Sequence, residues 1–419
     1  MIDLMLNWSE WIKPSAGLPT VQWSLLLALA AATGHLLQRY LGLPKVLGYS
    51  AVGALAGFSG YTTANWPLEG IGQFMVELGL SIVLFEAGGR LTLRWLLHNP
   101  WLLVQSVAEA VLTYLAASWV LQLFEVSEAL HMPLALLLVA TSPTVLMRVV
   151  GDLRASGPVT ERAITLAALN TLYVLALGGV MARLLGRSPA RLADALYPVV
   201  LLLVASVLVG ALLALALRKA LQVMSPTSES TAVLQLALIA AGTTLAANFG
   251  GSAPLTALLA GILLKTLHPR PWSSPRQFGT ASAILTILMF VLVSMAAAQA
   301  EWNWPAWSLI AALILARALA KLAAIALAGL GSGASPKQAL WTASAMGPMS
   351  AVALLLVSQF TIFAPEIGSQ VAAIALPLIL FMEVLGALMA VLALQRAGEA
   401  GRPLVARRIK LEEAKPDAA

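Results

Sequence analysis

The chain has 419 residues, of which 60% are hydrophobic and only 11% are charged, whereas about 25% of the residues of a soluble globular protein are charged. A soluble fold of this length has too little interior for so many apolar side chains, so the composition predicts a polytopic membrane protein. The net charge of +6 comes from basic residues spread over short loops, which indicates cytoplasmic loops and not a nucleic-acid surface. The absence of cysteine excludes disulfides and thiolate metal sites.

Apolar stretches long enough to cross a bilayer, about 20 residues each, recur along the whole chain. They predict an all-α protein with about thirteen spans, at 20–38, 44–60, 70–89, 100–124, 131–150, 159–185, 193–217, 229–248, 252–267, 279–299, 307–330, 337–358 and 367–394. Basic residues concentrate in alternate loops and in the C-terminal tail. This asymmetry predicts an extracytoplasmic segment at 1–19, a transmembrane domain at 20–394 and a cytoplasmic tail at 395–419.

Spans 5 and 12 contain helix-breaking sequences near their middles, at 140–144 and 345–350. The breaks are about 205 residues apart, which is close to half the chain, and span 12 comes seven spans after span 5. Because seven is an odd number, the second half enters the membrane from the opposite side. Paired interrupted helices in two inverted halves indicate the binding site of a transporter, although either break alone would be an ordinary proline kink. We predict that the two spans are discontinuous and cross near Pro143 and Pro348. The candidate site residues of the breaks are Thr141, Ser142, Pro143, Thr144, Gly347 and Pro348.

Several stretches, taken in order along the chain, resemble the monovalent cation:proton antiporter superfamily. Residues 43–49 resemble the start of one of its helices, 77–85 its next helix, 140–145 its first crossing helix, and 347–350 the break of its second. Lys321 stands at the spacing where the superfamily places a core lysine. The likeness is nearest the bacterial branch of sodium/proton exchangers and potassium-efflux systems.

The resemblance implies a homodimer in the bacterial cytoplasmic (inner) membrane that exchanges Na⁺ or K⁺ for protons by alternating access. It implies a moving core at about 100–185 and 307–394, and a dimerisation domain at about 20–89 and 229–299, with span 7 between them. The expected partners are monovalent cations, protons, the lipid bilayer and a second copy of the chain. No enzyme motif, cofactor, resident metal or nucleic-acid partner is expected.

The sequence departs from the superfamily in the middle of span 6. Members carry Asn-Asp or Asp-Asp there, and the last aspartate binds the cation and the proton in turn. This chain has Asn170-Thr171. Threonine has a hydroxyl but no titratable charge, so Thr171 cannot exchange a cation for a proton.

Arg317 and Lys321 are four residues apart on one face of span 11, and without the aspartate they need another carboxylate, an anion or an uncharged lysine. Glu383 in span 13 and Glu109 in span 4 are the candidate carboxylates, and we predict that Glu383 approaches Lys321 or Arg317. A structural role for Glu383 in a polar pocket stays open. The alternative function is a non-exchanging protein: a sensor, a uniporter-like pathway or a carrier of small anions that uses both cations.

Overall fold

The computed structural model describes residues 21–59, 71–91, 93–185, 192–225, 228–267, 276–298, 304–349 and 351–401. These residues form sixteen α-helices: α1 Val21–Leu36, α2 Lys45–Phe58, α3 Ile71–Arg90, α4 Leu93–His98, α5 Pro100–Leu123, α6 Glu128–Val139, α7 Pro143–Leu153, α8 Pro158–Leu184, α9 Leu192–Val223, α10 Glu229–Asn248, α11 Ala253–Leu267, α12 Arg276–Ala298, α13 Trp304–Gly329, α14 Pro336–Ala345, α15 Ala351–Phe363 and α16 Pro365–Arg396. Each predicted span coincides with one helix or with an interrupted pair, so the all-α prediction is confirmed. The segments 1–19 and 402–419 lie outside the described residues.

Seven of the described helices or pairs are long and apolar enough to cross a membrane: Pro100–Leu123, Glu128–Leu153, Pro158–Leu184, Leu196–Val223, Glu229–Asn248, Trp307–Gly329 and Pro365–Arg396. Four shorter apolar helices are also present among the described residues, at Lys45–Phe58, Ala253–Leu267, Ser282–Ala298 and Ala351–Phe363. The chain is therefore a multi-pass membrane protein. The count of thirteen crossings stays a prediction.

The two predicted discontinuities are present, and their backbones meet. α6 ends at Val139 and α7 begins at Pro143, whose missing N–H removes one intrahelical hydrogen bond and suits the first turn of a helix. The Ser142 hydroxyl accepts a hydrogen bond from the Val145 N–H and thereby starts α7. The Ser142 N–H donates to the Pro348 carbonyl, in the second break, over 3.0 Å. Contact between interrupted helices from the two halves confirms the prediction of a crossing near Pro143 and Pro348.

Two glycines of α2 let this helix lie directly against α12. A Cβ atom at Gly53 would stand 2.4 Å from the Val291 carbonyl oxygen, and one at Gly57 would stand 2.5 Å from that of Met295. Any side chain at either position would separate the helices, because real Cβ atoms do not approach backbone so closely. Small residues allow the same close packing in other membrane proteins.

The chain just after α16 folds back onto the start of α8. The Glu399 carboxylate accepts hydrogen bonds from the N–H groups of Val159 and Thr160 at 2.8 and 2.7 Å, and from the Thr160 hydroxyl at 2.7 Å. The Gly401 N–H donates to the Leu153 carbonyl at 2.9 Å. A carboxylate at a helix N-terminus satisfies free N–H groups and interacts favourably with the helix dipole. Residues 397–401 thus fasten the end of α16 to the α7–α8 turn.

We expect Glu399→Ala to loosen the first turn of α8, because two N–H groups lose their acceptor, at a cost of about 1 kcal/mol. Hydrogen–deuterium exchange should become several-fold faster at Val159 and Thr160, and remain unchanged in α10, which does not contact this turn. Unchanged exchange at the start of α8 would contradict the capping role.

Candidate ion-binding site

Arg317 lies buried between the two broken helices and binds the backbone of both. Its Nε donates to the Leu138 carbonyl at 2.9 Å, and Nη2 donates to the Ala140 carbonyl at 2.9 Å. On the other side, Nη1 donates to the Gly347 carbonyl at 2.6 Å, and Nη2 approaches the Pro348 carbonyl at 3.4 Å. Helix ends leave carbonyls without intrahelical donors, and in a membrane such groups need protein partners. Arg317 therefore donates hydrogen bonds to four backbone carbonyls at the crossing.

A glycine on α16 completes this packing. A Cβ atom at Gly386 would stand 2.4 Å from Pro348 Cα, so only glycine lets α16 lie against the second break at this separation. Gly347 and Pro348 contribute carbonyl oxygens that bind Arg317. Ser350, which follows in the same break, lies outside the described residues. The second break is thus held by α13 on one side and by α16 on the other.

Lys321, one turn after Arg317, forms a buried ion pair with Glu109 of α5. Lys321 is 1% exposed and Glu109 is 0% exposed. The Asn170 amide donates to the other Glu109 oxygen, and the Thr113 hydroxyl donates to the carboxylate at 3.2 Å. Lys321 Nζ also donates to the Thr141 hydroxyl of the first break at 2.9 Å. The carboxylate and the ammonium group are therefore both paired and hydrogen-bonded, as buried charges require.

A second contact fixes the register of α5 against α13. Gln105 lies one turn before Glu109, and its side-chain amide donates to the carbonyl of Ile325, one turn after Lys321, at 2.9 Å. Because α5 and α13 run antiparallel in this contact, the two pairs align the same stretch of both helices. Gln105 and Thr113 are not among the site residues predicted from the sequence, although each is one helical turn from the candidate carboxylate Glu109.

Thr171 does not take part in the ion pair. Its hydroxyl lies 2.9 Å from the Ala167 carbonyl of its own helix and 3.2 Å from the Thr141 carbonyl. Asn170 Oδ1, on the amide that binds Glu109, and Thr144 Oγ1, at the start of α7, are buried and have no hydrogen-bond partner among the described residues. Buried polar atoms are rarely left without a partner, so these oxygens are candidates for contact with a bound ion or water.

The counter-charge prediction was wrong in its first choice. The carboxylate against Lys321 belongs to Glu109, whereas Glu383 accepts a hydrogen bond from the Ser294 hydroxyl of α12 at 2.9 Å. Among the described residues, no Lys or Arg nitrogen lies within 4.0 Å of the Glu383 carboxylate. The reason is geometric: equal depth in the membrane does not tell which way a side chain points around its helix.

The chain matches the sequence profile of the sodium/hydrogen exchanger transmembrane family over residues 25–395. It belongs to this family. Membership makes the chain a membrane transporter and not an enzyme, and it confirms the resemblance to the cation:proton antiporter superfamily. No curated protein matches the chain in a sequence comparison.

Solved structures of one antiporter share the fold of this exchanger-family chain. The structure of the sodium proton antiporter MjNhaP1 from Methanocaldococcus jannaschii at pH 8 has a TM-score of 0.66 and 17% identity, and the match covers 90% of this chain and 95% of that chain. An electron-microscopy structure of the same antiporter has a TM-score of 0.68 and 17% identity, with 96% and 100% covered. The fold class is therefore that of this antiporter.

The contacts of Arg317 predict a large loss of stability on Arg317→Met, because each buried carbonyl left without a donor costs about 1–3 kcal/mol. Arg317→Lys should lose less, since an ammonium group can still bind some of the carbonyls. The melting temperature of the purified protein measures both. The control is Arg396→Met, at the exposed end of α16. Equal melting of the Arg317→Met and Arg396→Met proteins would contradict the structural role of Arg317.

Proposed function

We propose that this protein exchanges a monovalent cation, Na⁺ or K⁺, for protons, with Glu109 as the cation-binding carboxylate and Lys321 as the proton carrier. The observation that carries the proposal is the buried Glu109–Lys321 pair beside the crossing of the broken helices. Glu109 supplies from α5 the carboxylate that Thr171 on α8 lacks. The chemistry expected of the span-6 aspartate is thereby moved to a neighbouring helix.

Charge balance explains how one site exchanges the two ions. With Lys321 protonated, the ammonium group neutralises the Glu109 carboxylate. A cation that binds Glu109 takes over this neutralisation, so Lys321 releases its proton to water and becomes an uncharged amine. The site has no net charge in either state, which matters because unpaired charge is costly at membrane depth. Return of a proton to Lys321 displaces the cation.

Side chains with oxygen atoms suited to Na⁺ or K⁺ contact the Glu109–Lys321 pair. Thr141 Oγ1 lies within 3.3 Å of the Asn170 amide and within 2.9 Å of Lys321 Nζ, so it borders both members of the pair. Asn170 Oδ1 and Thr144 Oγ1 have free lone pairs. A cavity of about 140 Å³ lies against Lys321 and Arg317 on the side of α14 and α16. These groups offer the carboxylate, carbonyl and hydroxyl oxygens that hard cations prefer.

The anion-carrier alternative has less support. It needs Arg317 and Lys321 free to attract an anion, but Arg317 binds four backbone carbonyls and Lys321 binds a carboxylate. An anion would have to displace these partners from buried positions.

Alternating access, the homodimer and the orientation with the N-terminus outside the bacterial inner membrane belong to the same proposal. Every side chain at the Glu109–Lys321 site comes from α5–α8 or α13, within the ranges expected to form the moving core. The tight α2–α12 contact joins helices from the ranges expected to form the dimerisation domain. These contacts support a division of the protein into two parts. The moving core would consist of α5–α8 and α13–α16, and the dimerisation domain of α1–α3 and α10–α12.

We expect Glu109→Gln to abolish cation-driven proton flux in proteoliposomes. A carboxylate attracts a cation about 4 Å away by on the order of 4 kcal/mol at an effective dielectric near 20, which is roughly a thousand-fold in affinity. Glu125→Gln, in the exposed turn just after α5, is the control and should transport normally. Wild-type flux and cation affinity in Glu109→Gln would place the site elsewhere.

A second substitution tests whether Glu109 replaces the missing aspartate. Thr171 and Lys321 both contact Thr141, so a carboxylate at 171 would come close to the ammonium group. We expect Thr171→Asp to restore proton-coupled cation transport in the Glu109→Gln background, and to alter its pH profile in the wild-type background. Identical transport with and without Thr171→Asp in both backgrounds would show that position 171 is not part of the site.

A further inference from the structure

A second buried carboxyl group lies outside the Glu109–Lys321 site, where α16 packs against α2 and α12. Glu383 is 2% exposed, and the Ser294 hydroxyl of α12 donates to one of its oxygens at 2.9 Å. The Ser50 hydroxyl of α2 lies beside the same carboxyl group. Ser50 is 1% exposed, and its hydroxyl oxygen has no hydrogen-bond partner among the described residues. Helices α2 and α12 thus each place one hydroxyl beside a carboxyl group of α16.

No basic group neutralises this carboxyl within the described residues. The ionisable side chains on the helices that pack against α16 have other partners or positions. Lys45 Nζ lies 3.9 Å from Asp152 Oδ1, and Arg148 donates to the Thr286 hydroxyl and the Ser282 carbonyl. The His131 ring contacts the Val126 carbonyl. Arg317 and Lys321 have the partners described above. Tyr49 lies near Asp152 and Arg148, Glu128 and Lys337 are exposed, and the Arg276 side chain lies outside the described residues. On α16 itself, Glu366 and Arg396 are exposed.

A carboxyl group without a cation is far more stable in this environment when it is neutral, because burial of an unpaired charge is costly. The neutral carboxyl carries a proton, and this O–H is a donor that the Ser50 hydroxyl can accept. Ser294 donates to the carboxyl, and the Ser50 hydroxyl is placed to accept from its O–H. The two hydroxyls can therefore satisfy the protonated form of Glu383, and it is the burial without a cation that favours this form.

We propose that Glu383, Ser294 and Ser50 form a second proton-binding site, and that the proton bound there fastens α16 to α2 and α12. The proposal rests on the proposed function, because it assigns α16 to the moving core and α2 and α12 to the dimerisation domain. When α16 moves away, water reaches the carboxyl group, and its O–H bond breaks to give a carboxylate and a hydrated proton. The packed state holds one more proton than the separated state. By linkage, a rise in pH favours separation and a fall in pH favours packing.

This site differs from the Glu109–Lys321 pair in both chemistry and location. The pair exchanges a cation for a proton without change in net charge, whereas Glu383 binds or releases a proton alone. The pair lies among helices assigned to the core, whereas Glu383 lies at the surface along which the core would move. Proton binding at Glu383 therefore acts on the movement and not on the cation.

Infrared difference spectroscopy of the purified full-length protein tests the protonated carboxyl without any need for transport. The wild-type protein should show the C=O stretch of a buried protonated carboxyl, which disappears as the pH rises. The band should be absent from Glu383→Gln and retained in Glu109→Gln and in the control Glu366→Gln. Ser50→Ala should shift its frequency, since the O–H loses its acceptor. A band retained in Glu383→Gln, or absent from the wild-type protein at every pH, would overturn the proposal.

The pH profile of cation-driven flux in proteoliposomes tests the effect on movement. Glutamine imitates the protonated form permanently, so Glu383→Gln should match the wild-type rate at acidic pH and fall about ten-fold below it at alkaline pH, with unchanged cation affinity. The ratio of the two rates should thus depend on pH. A ratio that is constant over the pH range would overturn the proposed role of Glu383. Absence of flux in the wild-type protein would instead overturn the proposed function, and the infrared band would then decide the second site alone.

Discussion

A backbone carbonyl at membrane depth needs a hydrogen-bond donor, because the hydrocarbon of the bilayer supplies no water to act as one. The two broken helices of this protein place such carbonyls at the centre of the molecule, at Leu138 and Ala140 in one half and at Gly347 and Pro348 in the other. Arg317 binds all four with one planar group. The guanidinium stabilises both breaks at this depth, and Thr141 of the first break in turn contacts Lys321.

Arg317 and Lys321 are neighbouring cations on α13, but they have different partners. The donors of Arg317 are committed to backbone, and they hold the crossing together. Lys321 lies one turn further along α13, where it meets a side-chain hydroxyl and a carboxylate. An ammonium group can lose its proton, whereas a guanidinium group in a protein does not. Arg317, whose charge is permanent, thus binds the backbone of the crossing, whereas Lys321, whose charge can change, binds the side chains at which we propose that ions exchange.

The sequence predicted those features that depend on local pattern. Apolar stretches predicted the spans, and Ser-Pro and Gly-Pro pairs at matched positions predicted the crossing, because both signals are contained in a few consecutive residues. The partner of Lys321 was different, since Glu109 and Glu383 are both deep in apolar helices. Only the rotation of α5 and α16 about their axes decides which one faces α13, and this rotation comes from packing between residues more than 200 positions apart, such as Gln105 and Ile325. Ser294 gave no sequence signal, because an isolated serine is ordinary in a membrane helix.

The bond between Arg317 and Ala140 also joins residues that are 177 positions apart in the chain. During synthesis, α6 and α7 leave the ribosome long before α13, so the first break enters the membrane without the donor that its carbonyls need. Until Arg317 arrives, those carbonyls must be hydrated or held by the insertion machinery, because their donors in the folded protein come from α13. The centre of the molecule is therefore assembled last, and a chain that stops before α13 should be a substrate for membrane quality control.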